Sequence, residues 1–207
     1  MNTSSHIESA LTLRDRFKTA TRGAILEAAA SSFASDGATG VRMEDIAARA
    51  GISVGTLYNY FQDRSSLVGA LLELRMRAML DGLDAQHDAD APFRQRLGRF
   101  VQALADHFEA NRSLLSVLLE DASSHGHDGR ATSRGRSVLR EVLTRAERLL
   151  ADGVHRGVLR EGDPTVYAAL LVGMVRGMVW SALARKTGLA DAAPEIVAVF
   201  LNGAGRR

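Results

Sequence analysis

Apolar residues recur along most of the chain at the three- and four-residue spacing of helices, and strand-like alternation persists nowhere. Ile25, Ala29 and Phe33, with Leu26 and Ala30 beside them, predict a first helix over about 18–35, ended by Gly37. Met43, Ile46, Ala47 and Ala50 give the core face of a short second helix. Gly51 then marks a tight turn, and Ser53 stands where it can cap a third helix over 54–60. Asp63 caps a fourth, whose stripe of Leu67, Leu71 and Leu74 extends to about residue 83. The polar run 84–92 ends in proline and reads as a linker. Beyond it, Phe93, Leu97, Phe100, Val101, Leu104 and Phe108 share one face of a fifth helix. A short helix over 114–121, a loop over 123–133 and a long helix over 134–156 follow. Asp163-Pro164 is a cap followed by proline at the first helical position, opening a helix that runs to Lys186. Pro194 begins the last helix, with Ile196, Val199 and Phe200 apolar. The fold class is all-α.

The stretch 46–61 carries the most specific information. At about 100° per residue, Val54, Leu57 and Phe61 share a narrow apolar face. Gly55, Thr56 and Asn59 lie opposite, with Tyr58 and Tyr60 on the flanks and no acid among them. A helix this short is unstable alone in water, so its apolar face must pack on flanking helices. Its outer side chains suit base edges and phosphates. Periodicity alone favours an αα-corner inside a bundle. The ordered set Gly51, Ser53, Gly55, Leu57, Tyr58 and Phe61 is far more specific.

With 207 residues, there is room for a small binding domain and one larger domain. Lys and Arg number 26 against 24 Asp and Glu, so any affinity for nucleic acid rests on local placement of charge. Zero cysteines exclude disulfides and thiolate metal sites, and fit a reducing compartment. No secretory apolar core stands in residues 1–20, so a cytoplasmic protein is expected. The segment 167–184 is nearly long enough to span a membrane, but Arg176 near its middle would cost about 2.5–3.5 kcal/mol there. A buried interface helix is the better reading, in which Gly173 and Gly177 permit close helix approach. His125-Gly-His127-Asp128 lacks a third fixed ligand for a metal. No nucleophile–histidine–carboxylate pattern or phosphate loop occurs, so neither catalysis nor a cofactor is expected. Residues 1–17 read as a tail with a basic end, Arg14, Arg16, Lys18 and Arg22 against Asp15 alone. That end is either a solvated arm or one that reaches phosphates or a minor groove.

From about Arg22 to Leu72 the chain resembles the DNA-binding domain of TetR-type transcriptional regulators. The matching pieces are Ile25-Leu-Glu-Ala-Ala, Phe33, Gly37, Met43-Glu-Asp-Ile-Ala, Ala50-Gly-Ile-Ser, Gly55-Thr-Leu-Tyr-Asn-Tyr-Phe and Asp63-Arg-Ser-Ser-Leu. One departure is Arg42, where the family carries a capping Thr or Ser; arginine cannot accept the capping bond, though it can reach a phosphate. The resemblance implies a three-helix helix-turn-helix domain over 18–83 and a helical bundle over 92–207 for dimerisation and ligand binding. It implies contacts to double-stranded DNA from Arg42, Ser53, Gly55, Thr56, Tyr58, Asn59, Tyr60 and Arg64. One such module is small, so a homodimer on a palindromic operator is expected. Val166, Leu170, Gly173, Gly177, Trp180, Ala184, Ile196, Val199 and Phe200 are the expected dimer seam. A small-molecule effector is implied too, with Phe100, Leu104, His107, Phe108, Leu118, Met174, Arg176 and Met178 as the candidate lining. Most members repress transcription. The alternative is a helical protein-interaction module that does not read DNA.

Overall fold

The computed structural model describes residues 12–85, 88, 90–124, 133–185, 187–189 and 192–205. The described residues form helices and connecting turns, apart from one isolated antiparallel bridge between Leu159 and Gly205. They divide into two compact units, 1–71 and 72–207.

The first unit holds α1 (Leu13–Gly40), α2 (Met43–Arg49), α3 (Val54–Tyr60) and the first turns of α4 (Arg64–Ala85). Its core is Ile25, Leu26, Ala29 and Phe33 of α1, Ile46 and Ala47 of α2, Leu57 of α3, and Phe61 and Leu67 after it. α1 starts at Leu13 rather than near residue 18. Thr12 and Asp15 form a reciprocal capping box there: Asp15 N–H donates to Thr12 Oγ1 (3.2 Å) and Thr12 N–H to Asp15 Oδ2 (3.2 Å). The added turn leaves Leu13 and Phe17 about 70% exposed. α1 also continues through Gly37 and stops at Gly40, where Val41 turns extended and its side chain buries. A glycine inside a helix costs only about 1 kcal/mol, which this long helix sustains.

The second unit holds the rest of α4 with α5 (Phe93–Ala110), α6 (Arg112–Ser124), α7 (Ser133–His155), α8 (Pro164–Arg185) and α9 (Ala192–Ala204). α8 packs on α7 and α9, and α5 on α7, α8 and α9. One continuous core includes Leu80, Leu97, Leu104, Leu150, Leu171, Val175, Val197 and Phe200. Asp163 caps α8 through the Thr165 N–H (2.8 Å). Pro194 sits in the first turn of α9, where a missing N–H costs nothing. The segment His125-Gly-His127-Asp128 lies outside the described residues.

α8 is long and apolar enough to cross a membrane by length and composition alone. Its two faces differ. Ala168, Leu171, Val172, Val175, Val179 and Ala182 are buried in the core. Val166, Leu170, Gly173, Gly177, Trp180 and Ala184 are exposed. Their alternating four- and three-residue steps are the spacing of a helix-pairing seam. On α9, Val199 joins this exposed set, but Ile196 and Phe200 do not: both are buried in their own unit's core. An almost wholly apolar helix does not reveal by periodicity which face is inward.

Candidate nucleic-acid interface

α2 and α3 meet at a tight turn whose Gly51 has φ +68, a conformation costly for any residue with a Cβ. Ser53 then caps α3: its Oγ accepts from the Thr56 N–H at 3.1 Å and lies 2.8 Å from Thr56 Oγ1. Leu57 and Phe61 pin the helix to the core, both essentially inaccessible. Val54, one turn earlier, is exposed, because a seven-residue helix reaches the core only with its second half.

What remains outside is Ser53, Val54, Gly55, Tyr58 and Asn59, with Thr56 and Tyr60 half-buried. Tyr58 is 46% exposed and so belongs to the surface. Neither the Tyr58 hydroxyl nor the Asn59 amide has a hydrogen-bond partner among the described residues. No acid lies in α3. An unengaged primary amide on an exposed, acid-free helix can bond an adenine edge bidentately, and a phenol can hold a phosphate.

Two arginines frame this surface differently. The Arg42 N–H donates to Asp45 Oδ2 at 3.2 Å, so α2 is capped from inside the helix and the arginine side chain is not needed for it. That side chain is 77% exposed, with Nε 3.5 Å from Glu44. Arg64 is half-buried, its guanidinium 6.0 Å above the Phe33 ring. Arg22, not singled out by the motif, stacks at 5.2 Å on Phe61, the residue that anchors the end of α3. Such contacts hold guanidinium groups in place through the ring quadrupole.

The expected effector lining is not gathered in one place. Phe100 borders a cavity between α4, α5 and α7. Met174 and Met178 border a second, on the α8–α9 face beside Ile196 and Val199. Leu104 lies within the core, while Arg176 is exposed. Phe108 and Leu118 are half-buried. His107 is buried on α5, with its backbone oxygen accepting from Asn111 Nδ2 at 2.7 Å; Arg75 Nη1 donates to Asn111 Oδ1 at 2.6 Å. Burial first, and then the Arg75 charge, lower the His107 pKa to about 4. It is therefore a neutral core histidine at pH 7.

Residues 25–71 match the sequence model described as bacterial regulatory proteins of the tetR family, and residues 90–180 match the tetracyclin repressor-like C-terminal domain. The chain is similar to the HTH-type transcriptional repressor KstR2 of Mycobacterium tuberculosis, with 28% identity over 77% of this chain and 78% of that protein. In fold it is similar to a TetR transcription regulator from Haloarcula marismortui (TM-score 0.70, 17% identity, 91% of this chain and 100% of that one). It is also similar to the transcriptional regulator FadR from Bacillus subtilis, solved in complex with stearoyl-CoA (TM-score 0.65, 19% identity, 87% and 98% covered).

Proposed function

The chain belongs to the TetR family of DNA-binding transcriptional regulators, and we propose that it acts in the cytoplasm as a homodimer that represses transcription from a palindromic operator and responds to a small molecule. The observation that carries the reading is the outer face of α3, exposed, free of acid and bearing an unengaged Asn59 amide. Asn59 and Thr56 read base edges. Gly55 admits the backbone close to the duplex. Ser53, Tyr58, Tyr60, Arg42 and Arg64 fix the register on phosphates. Arg64 does so with less freedom than a fully exposed arginine, since Phe33 holds its guanidinium.

One α3 spans too few base pairs for a unique site, so specificity needs a second copy. The seam Val166, Leu170, Gly173, Gly177, Trp180, Ala184 and Val199 supports pairing through α8 and α9. It is continuous and apolar, and glycines sit where two backbones would approach. Repression is supported by the function named for KstR2. Response to a small molecule is supported by the ligand held in the FadR structure. The matched families and the named relatives are regulators rather than enzymes, and the reading needs no membrane and no cofactor.

Selection of binding sites from random duplex DNA, at fixed salt, tests the proposal. A palindrome is expected, with half-site centres about one helical turn (10–10.5 bp) or a multiple apart. Enrichment of no sequence, or of a single unrepeated half-site, overturns it.

A further inference from the structure

The strongest feature outside the nucleic-acid surface is the cavity of about 440 Å³ between α4, α5 and α7. It lies wholly within residues 72–207 and has the size of an ordinary small-molecule site. Its two long walls repeat one pattern. Arg96, Arg99 and Phe100 line it from α5, and Arg145, Arg148 and Leu149 from α7. In both helices these are positions i, i+3 and i+4, which share a face. Leu83 adds a third apolar wall residue.

The charges of the lining do not cancel: four arginines face two aspartates. Asp84 is engaged by Arg145 at 2.8 Å, a guanidinium that also reaches Asp81 at 3.4 Å. Asp88 Oδ1 accepts from the N–H groups of Asp90 and Ala91 at the entry to α5 (3.1 and 3.2 Å). Arg96 pairs with Asp152 at 2.5 Å, but Asp152 is shared with Arg156 at 2.8 Å. Burial alone would raise the Asp152 carboxyl; the hydrogen bonds and charges of Arg156 and Arg96 outweigh it and hold the group below its ordinary range. The Arg96 side chain is only 10% exposed, and its buried Nε has no hydrogen-bond partner among the described residues. Arg99 and Arg148 have no ion pair or hydrogen bond among the described residues.

Two guanidinium forks on facing walls, without a partner among the described residues, and an apolar wall beside them define a ligand by its chemistry. We propose that this cavity binds an organic phosphate monoester, with Arg99 and Arg148 gripping the phosphate and Phe100, Leu83 and Leu149 covering an apolar organic group. A dianion with three terminal oxygens can pair in bidentate fashion with two forks at once, whereas the two oxygens of a carboxylate complete one bidentate pair or, as at Asp152, single bonds to two guanidinium groups. Building on the ligand-responsive reading above, occupation of this cavity is what loosens the protein from its operator.

The test uses the full chain and phenyl phosphate as the probe, titrated calorimetrically in a phosphate-free buffer without DNA. Saturable binding at one site per chain is expected, at least tenfold tighter than inorganic phosphate or benzoate, with none for benzyl alcohol. Arg99→Gln together with Arg148→Gln should weaken it at least tenfold while leaving Tm and helical circular dichroism unchanged, because both side chains lack internal partners. No heat at millimolar phenyl phosphate, or equal affinity in the double variant, overturns the site. Phenyl phosphate should also weaken operator binding by the parent and not by the double variant. Binding in the calorimeter without that release overturns the regulatory role. A parent that binds no operator at all overturns the regulator reading, and the calorimetry still decides the site.

Discussion

Gly55→Ala separates folding from DNA reading at a single methyl group. Gly55 is the second residue of α3 and lies at ordinary helical φ. A Cβ there meets only Ser53 Oγ, at 4.0 Å, which is normal contact. Alanine forms helix better than glycine and restrains the unfolded chain, so the substitution should stabilise the protein by about 0.5–1 kcal/mol. For a chain of this length that raises Tm by about 1–4 °C. Against DNA the sign reverses. A methyl forced into a close-packed contact costs about 1–3 kcal/mol per half-site, which is about a 5- to 150-fold loss at each. No charge is removed, so the slope of log affinity against log salt should not move. Thermal melting paired with fluorescence anisotropy on a selected duplex at two salt concentrations measures both quantities. A higher Tm with unchanged affinity would refute the placement of Gly55 against the duplex. A lower Tm would refute the packing account of α3.

Other outcomes follow from the same geometry. The folded pKa of His107, about 4, lies below its ordinary 6.5, so between these values the unfolded chain takes up a proton the folded chain refuses. Stability should be intact above about pH 6.5 and fall by up to about 3 kcal/mol as pH drops to 4, and His107→Leu should remove that component from the urea midpoints. Gly173 and Gly177 have open space where a Cβ would go, so Gly173→Leu with Gly177→Leu should leave helicity intact and halve the mass in sedimentation equilibrium. A dimer that survives removes α8 from the seam. Arg42→Gln should lower the salt slope by about one per half-site, with little change in sequence preference.

Much of the geometry of the proposed DNA-reading surface is legible in the chain because its determinants are local. Gly51, Ser53, Leu57 and Phe61 fall within eleven residues and set the turn, the cap and the buried face, and α3 runs over the expected 54–60. The start of α1 is also set locally: Thr12 and Asp15 have capping-box spacing, hidden in a basic segment whose Leu13 and Phe17 are exposed. Features set by pairing between distant helices were not legible. Periodicity put Ile196 and Phe200 on the same footing as Val199, and only the packing of α9 on α5 and α8 buries the first two. The arginines at 96, 99, 145 and 148 belong to no motif; they converge only because α5 and α7 lie side by side, some fifty residues apart in sequence. Arg64 is an intermediate case. Its position matched the motif, but its contact with Phe33 depends on how α1 folds back.

The most direct measurement is the affinity of Asn59→Ala for the selected operator and for random duplex of equal length, at one salt concentration. The account predicts that operator affinity falls by about 1–3 kcal/mol per half-site while random-duplex affinity and the salt slope stay put, so that the specificity ratio contracts. An operator affinity untouched by the loss of the Asn59 amide, or a parent that prefers no sequence, would contradict it.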